Sequence, residues 1–214
     1  VTYAFSYTGG ALIQWCIDVL AKEEKQQALT RNLSVNELLE QEYIKKRGSV
    51  PGKLLVLPHF AGAATPYMDA GSRGAILGLT TDSRVYDIYR ACMEGVVYEM
   101  LLNFHLLDKS GIGCKKMAAT GGGAKSKIWM QMKADILDVP ITALSTADAG
   151  TVGASMLTGL ATGAFRNLAD AAAQMVQETV TYQPDKEMHR MYMKNYERYV
   201  DLYSAVRPLV GGER

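Results

Sequence analysis

Apolar residues recur along this chain with two periods, and a series of short strands and amphipathic helices follows from them. The longest signal runs through Val85, Ile88, Tyr89, Cys92, Met93, Val96, Val97, Met100, Leu101 and Phe104. Steps of three and four of this kind line one face of an α-helix. A second such face, Leu12, Ile13, Cys16, Ile17 and Leu20, predicts a helix over residues 11–29. "SVNE" (34–37) opens another as a capping box, with Ser34 covering a free amide and Glu37 reaching back; Gly48, ahead of Pro51, closes it. Residues 126–137, 150–160 and 186–206 read as further helices, the last carrying Met188, Met191, Tyr192, Tyr199, Leu202 and Tyr203. Residues 1–7, "KLLVLP", "KKMAAT" and "PITAL" read as short strands. From Pro58 to Thr81 the chain is rich in Gly, Ala, Pro and Asp and has no period, so it reads as one long loop. Loops of that length in a compact domain carry function or lie over a partner.

Strands alternating with helices predict an α/β fold, in which loops at the carboxyl ends of strands hold ligands. "ATGGGAKSKIW" (118–128) lies at such a junction. It is not a phosphate-binding Walker loop, because Ala124 precedes Lys125 where a glycine is required. Nor is it a dinucleotide fingerprint, since Ser126 occupies the place of the third glycine. Taken alone, the glycines fit a tight turn as well as a ligand.

Composition narrows the classes. The chain has 214 residues, 48% of them hydrophobic, enough to build a real core. A net charge of +1 leaves no electrostatic footprint for nucleic acid or an anionic membrane. No apolar run reaches the roughly 20 residues that span a bilayer, and "VTYAFSYTGG" lacks a signal-peptide pattern. Cys16, Cys92 and Cys114 are scattered, which argues against a disulfide framework or a metal site and for a reducing, cytoplasmic setting. His59 in the long loop reads as a packed or solvated residue, and His105 and His189 have no nucleophile beside them.

Four segments together resemble the C-terminal domain of the FGGY carbohydrate kinases, of the xylulose and glycerol kinase type. "GAILGLTTDSRVYDIYRACMEG" (74–95) is similar to the second family signature at Gly74, Ile76, Gly78, Leu79, Asp87, Ile88, Ala91, Met93 and Glu94, and departs from it at Cys92. "GGGAKSKIWMQMKADILDVPI" resembles the adenosine-binding stretch, "GTVGASMLTGLATGAF" the small-residue helix after it, and "GGALIQW" the element near the nucleotide phosphates. The resemblance implies a ribonuclease H-like, actin-like ATPase fold, with a mixed sheet flanked by helices and ATP with Mg2+ as cofactors. It implies that Gly122 lets the backbone lie against adenine or ribose and that Ser126 contacts the adenosine. Gly121, Gly123 and Lys125 would shape that wall, and Gly10 and Gln14 would flank the phosphates.

The same resemblance places an N-terminal domain ahead of Val1, with the catalytic aspartate, a phosphate loop and most of the sugar pocket. No catalytic residue is therefore expected in this chain. Asp69 and Arg73 fall where family members face the cleft, while Ala63 and Ala64 replace an acid–arginine pair. The expected partner is a small-molecule sugar, with a homo-oligomer among the expected states. A non-catalytic nucleotide-binding or oligomerisation module of the same fold is the alternative function. A dehydrogenase fits less well.

Overall fold

The computed structural model describes residues 2–146 and 148–210, which form two compact units. One contains the chain through Gly113 and again from Lys186; the other is Cys114–Asp185.

The first unit is organised by α4 (Val85–Lys109), the helix predicted from the longest apolar period. Tyr89, Cys92, Met93, Val97 and Leu101 on that helix are all buried. Helix α1 (Gly10–Leu20) and helix α3 (Val35–Arg47) pack on it, and α2 (Lys22–Thr30) packs on α3. Ser34 and Glu37 form the expected capping box, and Gly48 ends α3 in a left-handed conformation, φ 84°. Cys16 on α1 and Cys92 on α4 are both fully buried. Strand β1 (Leu55–Leu57) pairs antiparallel with β2 (Ala75–Leu77), Leu55 opposite Leu77. Strand β1 also lies so close to α4 that a Cβ on Gly95 would come within 2.4 Å of the Val56 carbonyl oxygen.

Helices α8 (Lys186–Tyr199) and α9 (Leu202–Val210) complete this unit. They bring tyrosines onto polar groups that would be costly to bury alone. Arg90 donates to Glu94 at 2.8 Å and to the Tyr192 hydroxyl, while Glu94 also accepts from the Gly52 amide at 2.9 Å. His59 is 2% exposed, bonded to Ser72 at 2.8 Å and Glu99 at 3.3 Å, and Tyr199 donates to Glu99. The histidine is a packed, satisfied residue, as its isolation in the sequence suggests.

The second unit is a three-stranded mixed sheet with helices. Strand β3 (Met117–Ala119) runs parallel to β4 (Ile141–Leu144), which pairs antiparallel with β5 (Glu178–Tyr182). Helix α5 (Lys127–Leu137) packs on the sheet through Trp129, Met130, Met132, Ile136 and Leu137. Helix α6 (Ala149–Ala161) packs on α7 (Leu168–Met175). Gly163 follows α6 with φ 78°.

Several expectations change. Val1 lies outside the described residues, and residues 2–7 form no strand. Only Phe5 bonds across to Thr65, its amide donating to the hydroxyl and its carbonyl accepting from the amide, and one rung does not make a ladder. The helix expected over 11–29 is broken at Ala21 so that α1 can reach α4 and α2 can reach α3. The helix expected over 186–206 breaks at 200–201, and α9 then turns its Tyr203 and Arg207 onto Asp69. The long loop contains β2, and α7 and β5 appear where no element is expected.

Candidate functional site

The glycine segment is built by the end of β3, a single 3-10 turn and the start of α5. Thr120 leaves β3 and donates to the Thr146 carbonyl at 2.6 Å, joining the carboxyl ends of β3 and β4. Gly121 then takes φ 85°, ψ −172°, a backbone region open only to glycine. The turn Gly122–Ala124 follows, closed by Ala124 N to Gly121 O at 3.1 Å and Lys125 N to Gly122 O at 3.2 Å. Ser126 is the N-cap of α5, its hydroxyl accepting from the Trp129 amide at 3.0 Å.

The three glycines are required for three different reasons. Gly121 is needed for its positive φ. Gly123 is needed because a Cβ there would sit 3.0 Å from Cζ3 of Trp129 and 3.3 Å from Nζ of Lys133. Gly122 is exposed, its φ is not positive, and nothing lies within 4 Å of where its Cβ would be. Neither local strain nor packing accounts for it. Lys125 is exposed beside it. Sequence reasoning missed Lys133, whose Nζ reaches the Gly123 carbonyl at 3.3 Å and lies 4.3 Å from the Trp129 ring centre. Its signal is helical spacing alone, one turn beyond Trp129 and two beyond Ser126.

In the other unit, Gly10 and Gln14 lie one turn apart on the exposed face of α1. Gly9 caps α1 without a side-chain bond, and a Cβ on Gly10 would meet nothing within 4 Å. Gln14 is held by Asp18 at 2.9 Å, and Asp18 by Lys25 at 2.6 Å. Those bonds hold the Asp18 carboxyl below its ordinary value, Lys25 contributing most.

The loop residues have other tasks. Asp69 accepts from Tyr203 at 2.9 Å, from the Gly71 amide at 2.9 Å and from Arg207. Burial pushes its carboxyl up, but these donors outweigh that and its pKa falls below the ordinary value. Arg73 donates to the carbonyls of Ala70 and Ser72. Ala63 and Ala64 are buried. Among the described residues no group of three His, Cys, Asp or Glu side chains could hold a metal ion. No described helix is long and apolar enough to cross a membrane.

Known proteins resemble this chain in sequence and in fold. The sequence profile of the FGGY family of carbohydrate kinases, C-terminal domain, matches residues 2–162. A xylulose kinase of Staphylococcus epidermidis is 29% identical over 184 residues, covering 86% of this chain and 37% of its own length. A glycerol kinase of Deinococcus radiodurans is 30% identical over 208 residues, 93% of this chain and 38% of its own. This chain thus spans well under half the length of the relatives it matches. Xylulose kinase from Rhodospirillum rubrum shares the fold with a TM-score of 0.78 at 24% identity, covering 96% of this chain and 39% of that one. Gluconate kinase from Lactobacillus acidophilus reaches 0.74 at 26% identity, over 94% and 39%. The fold is the α/β, actin-like ATPase fold of these kinases, and the chain belongs to the FGGY family of carbohydrate kinases, whose C-terminal domain it matches.

Proposed function

We propose that this chain is the adenine-nucleotide half of an ATP-dependent kinase that phosphorylates a hydroxyl of a sugar or polyol. Gly122 carries the reading. It is a glycine that neither backbone strain nor packing requires, at the carboxyl end of a strand, beside a helix start, with free space where a side chain would stand. A purine or ribose laid against that backbone explains the glycine, and Gly10 has the same open surroundings at the uncapped start of α1. Helix N-termini with free amides favour phosphate oxygens.

Phosphoryl transfer depends chiefly on positioning and on stabilising charge. In this reading the turn 121–126 orients the adenosine. A magnesium ion would arrive with the nucleotide, since this cation binds through phosphates and one or two carboxylates rather than a dedicated cage. This chain covers under two fifths of its relatives' length, and in this reading the base that takes the sugar hydroxyl proton lies in the part it does not cover, so the chain alone transfers no phosphate. In this reading xylulose, glycerol and gluconate, for which the relatives are named, are the candidate substrates.

Hydrogen exchange of the full-length protein with and without MgADP tests the site, and a sugar and polyol panel tests the reaction. Protection is expected at residues 120–130 and 9–14, together with ATP-dependent phosphorylation of at least one substrate. Protection without turnover on any substrate would favour a nucleotide-binding module. Protection confined to other segments would remove the nucleotide from this turn.

A further inference from the structure

Lys133 holds a charge where charge is costly. Burial alone pulls its pKa down to about 8, and no opposing carboxylate offsets that cost among the described residues. Helix α5 packs on the turn, β4 and β5. Strand β4 has no titratable residue, β5 carries Glu178 and Tyr182, and Lys125 stands beside the turn. On α5 itself are Lys127 and Asp135, the latter accepting from Gln131 at 2.8 Å and from the Asp185 amide at 2.9 Å. A methionine would fill the same space without desolvating an ammonium. The partners of the charge are two features on the inner side of the glycine turn, the Gly123 carbonyl and the Trp129 ring.

We propose that Lys133 is a positioning residue for the nucleotide, its ammonium tying the Gly123 carbonyl to the Trp129 ring and so fixing the turn whose open face is Gly122. The inference rests on the nucleotide reading of that turn. Lys133 lies on the side toward which a Gly123 Cβ would point, whereas a Gly122 Cβ would point into free space. It therefore acts through the turn and not by touching the ligand.

Loss of the proton removes the cation–π attraction and weakens the bond to the carbonyl. The clamp is present below about pH 8 and is lost above it. Stability runs the other way. The folded-state pKa lies below the ordinary lysine value of 10.5, so the unfolded chain binds the proton more tightly. Stability then rises with pH between those two values as the half-buried charge disappears. A lysine with a merely structural role would not give opposite trends in affinity and stability.

The test is calorimetric titration of the full-length protein with ADP and, separately, with adenosine, across the Lys133 titration. Wild type, Lys133→Met, Lys133→Arg and Gly122→Val are compared, with thermal melts alongside. Wild type should weaken about tenfold for both ligands as pH rises, a factor worth ~1.4 kcal/mol. Lys133→Met should bind weakly at every pH and melt higher than wild type at neutral pH, while Lys133→Arg should bind tightly throughout. Wild-type affinity in Lys133→Met, with binding lost in Gly122→Val, overturns the clamp and leaves the site standing. Normal binding by Gly122→Val overturns the site itself. Weakening for ADP but not adenosine means that the charge acts on phosphates, and the clamp is wrong. Lower melting with weaker binding in both Lys133 variants assigns the lysine to the core and also overturns it.

Discussion

Placing a single methyl group at each glycine of the turn should give three different outcomes. At Gly121 an alanine must adopt φ 85°, ψ −172°, a region whose occupation by a non-glycine residue costs about 1–3 kcal/mol. At Gly123 the methyl meets Trp129 Cζ3 at 3.0 Å, and pushing back a buried ring costs about 1–3 kcal/mol in overpacking. At Gly122 the methyl meets nothing within 4 Å. There the restricted unfolded chain should make Gly122→Ala more stable by about 0.4–1 kcal/mol. Affinity should follow a separate order. Gly122→Ala weakens ADP binding sharply and Gly122→Val abolishes it, because the added carbons stand in the ligand's space. Denaturant midpoints and ADP titrations on the full-length protein measure both. A Gly122→Ala protein that is stabilised yet binds ADP like wild type would refute the ligand explanation of that glycine. One destabilised as much as Gly121→Ala would refute the geometry of the turn.

Other predictions follow from contacts elsewhere. Gly95→Ala forces a Cβ onto the Val56 carbonyl at 2.4 Å and should lower stability by about 1–3 kcal/mol in urea unfolding; an unchanged midpoint would mean that α4 and β1 are not in close contact. Ser126→Ala removes the N-cap of α5 at a cost of about 1 kcal/mol, and Ser126→Asp should restore it; equal melting of all three proteins would exclude the cap. Asp69 has a depressed pKa, so what it contributes is present above the ordinary aspartate value of 3.8 and lost as pH falls through its folded value. Acid should therefore lower the protection factors, taken against the intrinsic exchange rate at each pH, at residues 202–210, and Asp69→Asn should do so at neutral pH; protection unaffected by either would sever Asp69 from α9.

The elements legible in the sequence were those whose signals are local. The period of α4, the Ser34–Glu37 box, Gly48 after α3 and the strand–glycine–helix order around Gly121–Gly123 all depend on neighbours a few residues apart. The breaks at Ala21 and at 200–201 have no glycine or proline to announce them. They exist because one straight helix cannot reach two partners, which is tertiary information. Strand β5 is mostly exposed, so "ETVTY" shows no apolar alternation, only β-branched residues. For the site, the triple glycine was visible but its three separate requirements were not. Telling strain, packing and open space apart needs the φ of Gly121, the ring of Trp129 and the empty surroundings of Gly122. Lys133 gave no motif, because its environment rather than its spacing makes it unusual.

The first unit is discontinuous in the chain: residues 114–185 intervene between α4 and α8. During synthesis the second unit can finish its sheet as a local event, while Arg90, Glu94 and Glu99 wait without Tyr192 and Tyr199. Closing so long a loop is only modestly dearer than closing a short one, since each doubling of length adds about 0.6 kcal/mol. The delay is thus a matter of order more than of energy. Until the final helices emerge, the polar groups along α4 that the mature protein seals must remain open to water. Folding of the first unit is therefore gated by α8 and α9, and changes in Tyr192 and Tyr199 should reach the protein through its yield as well as its stability.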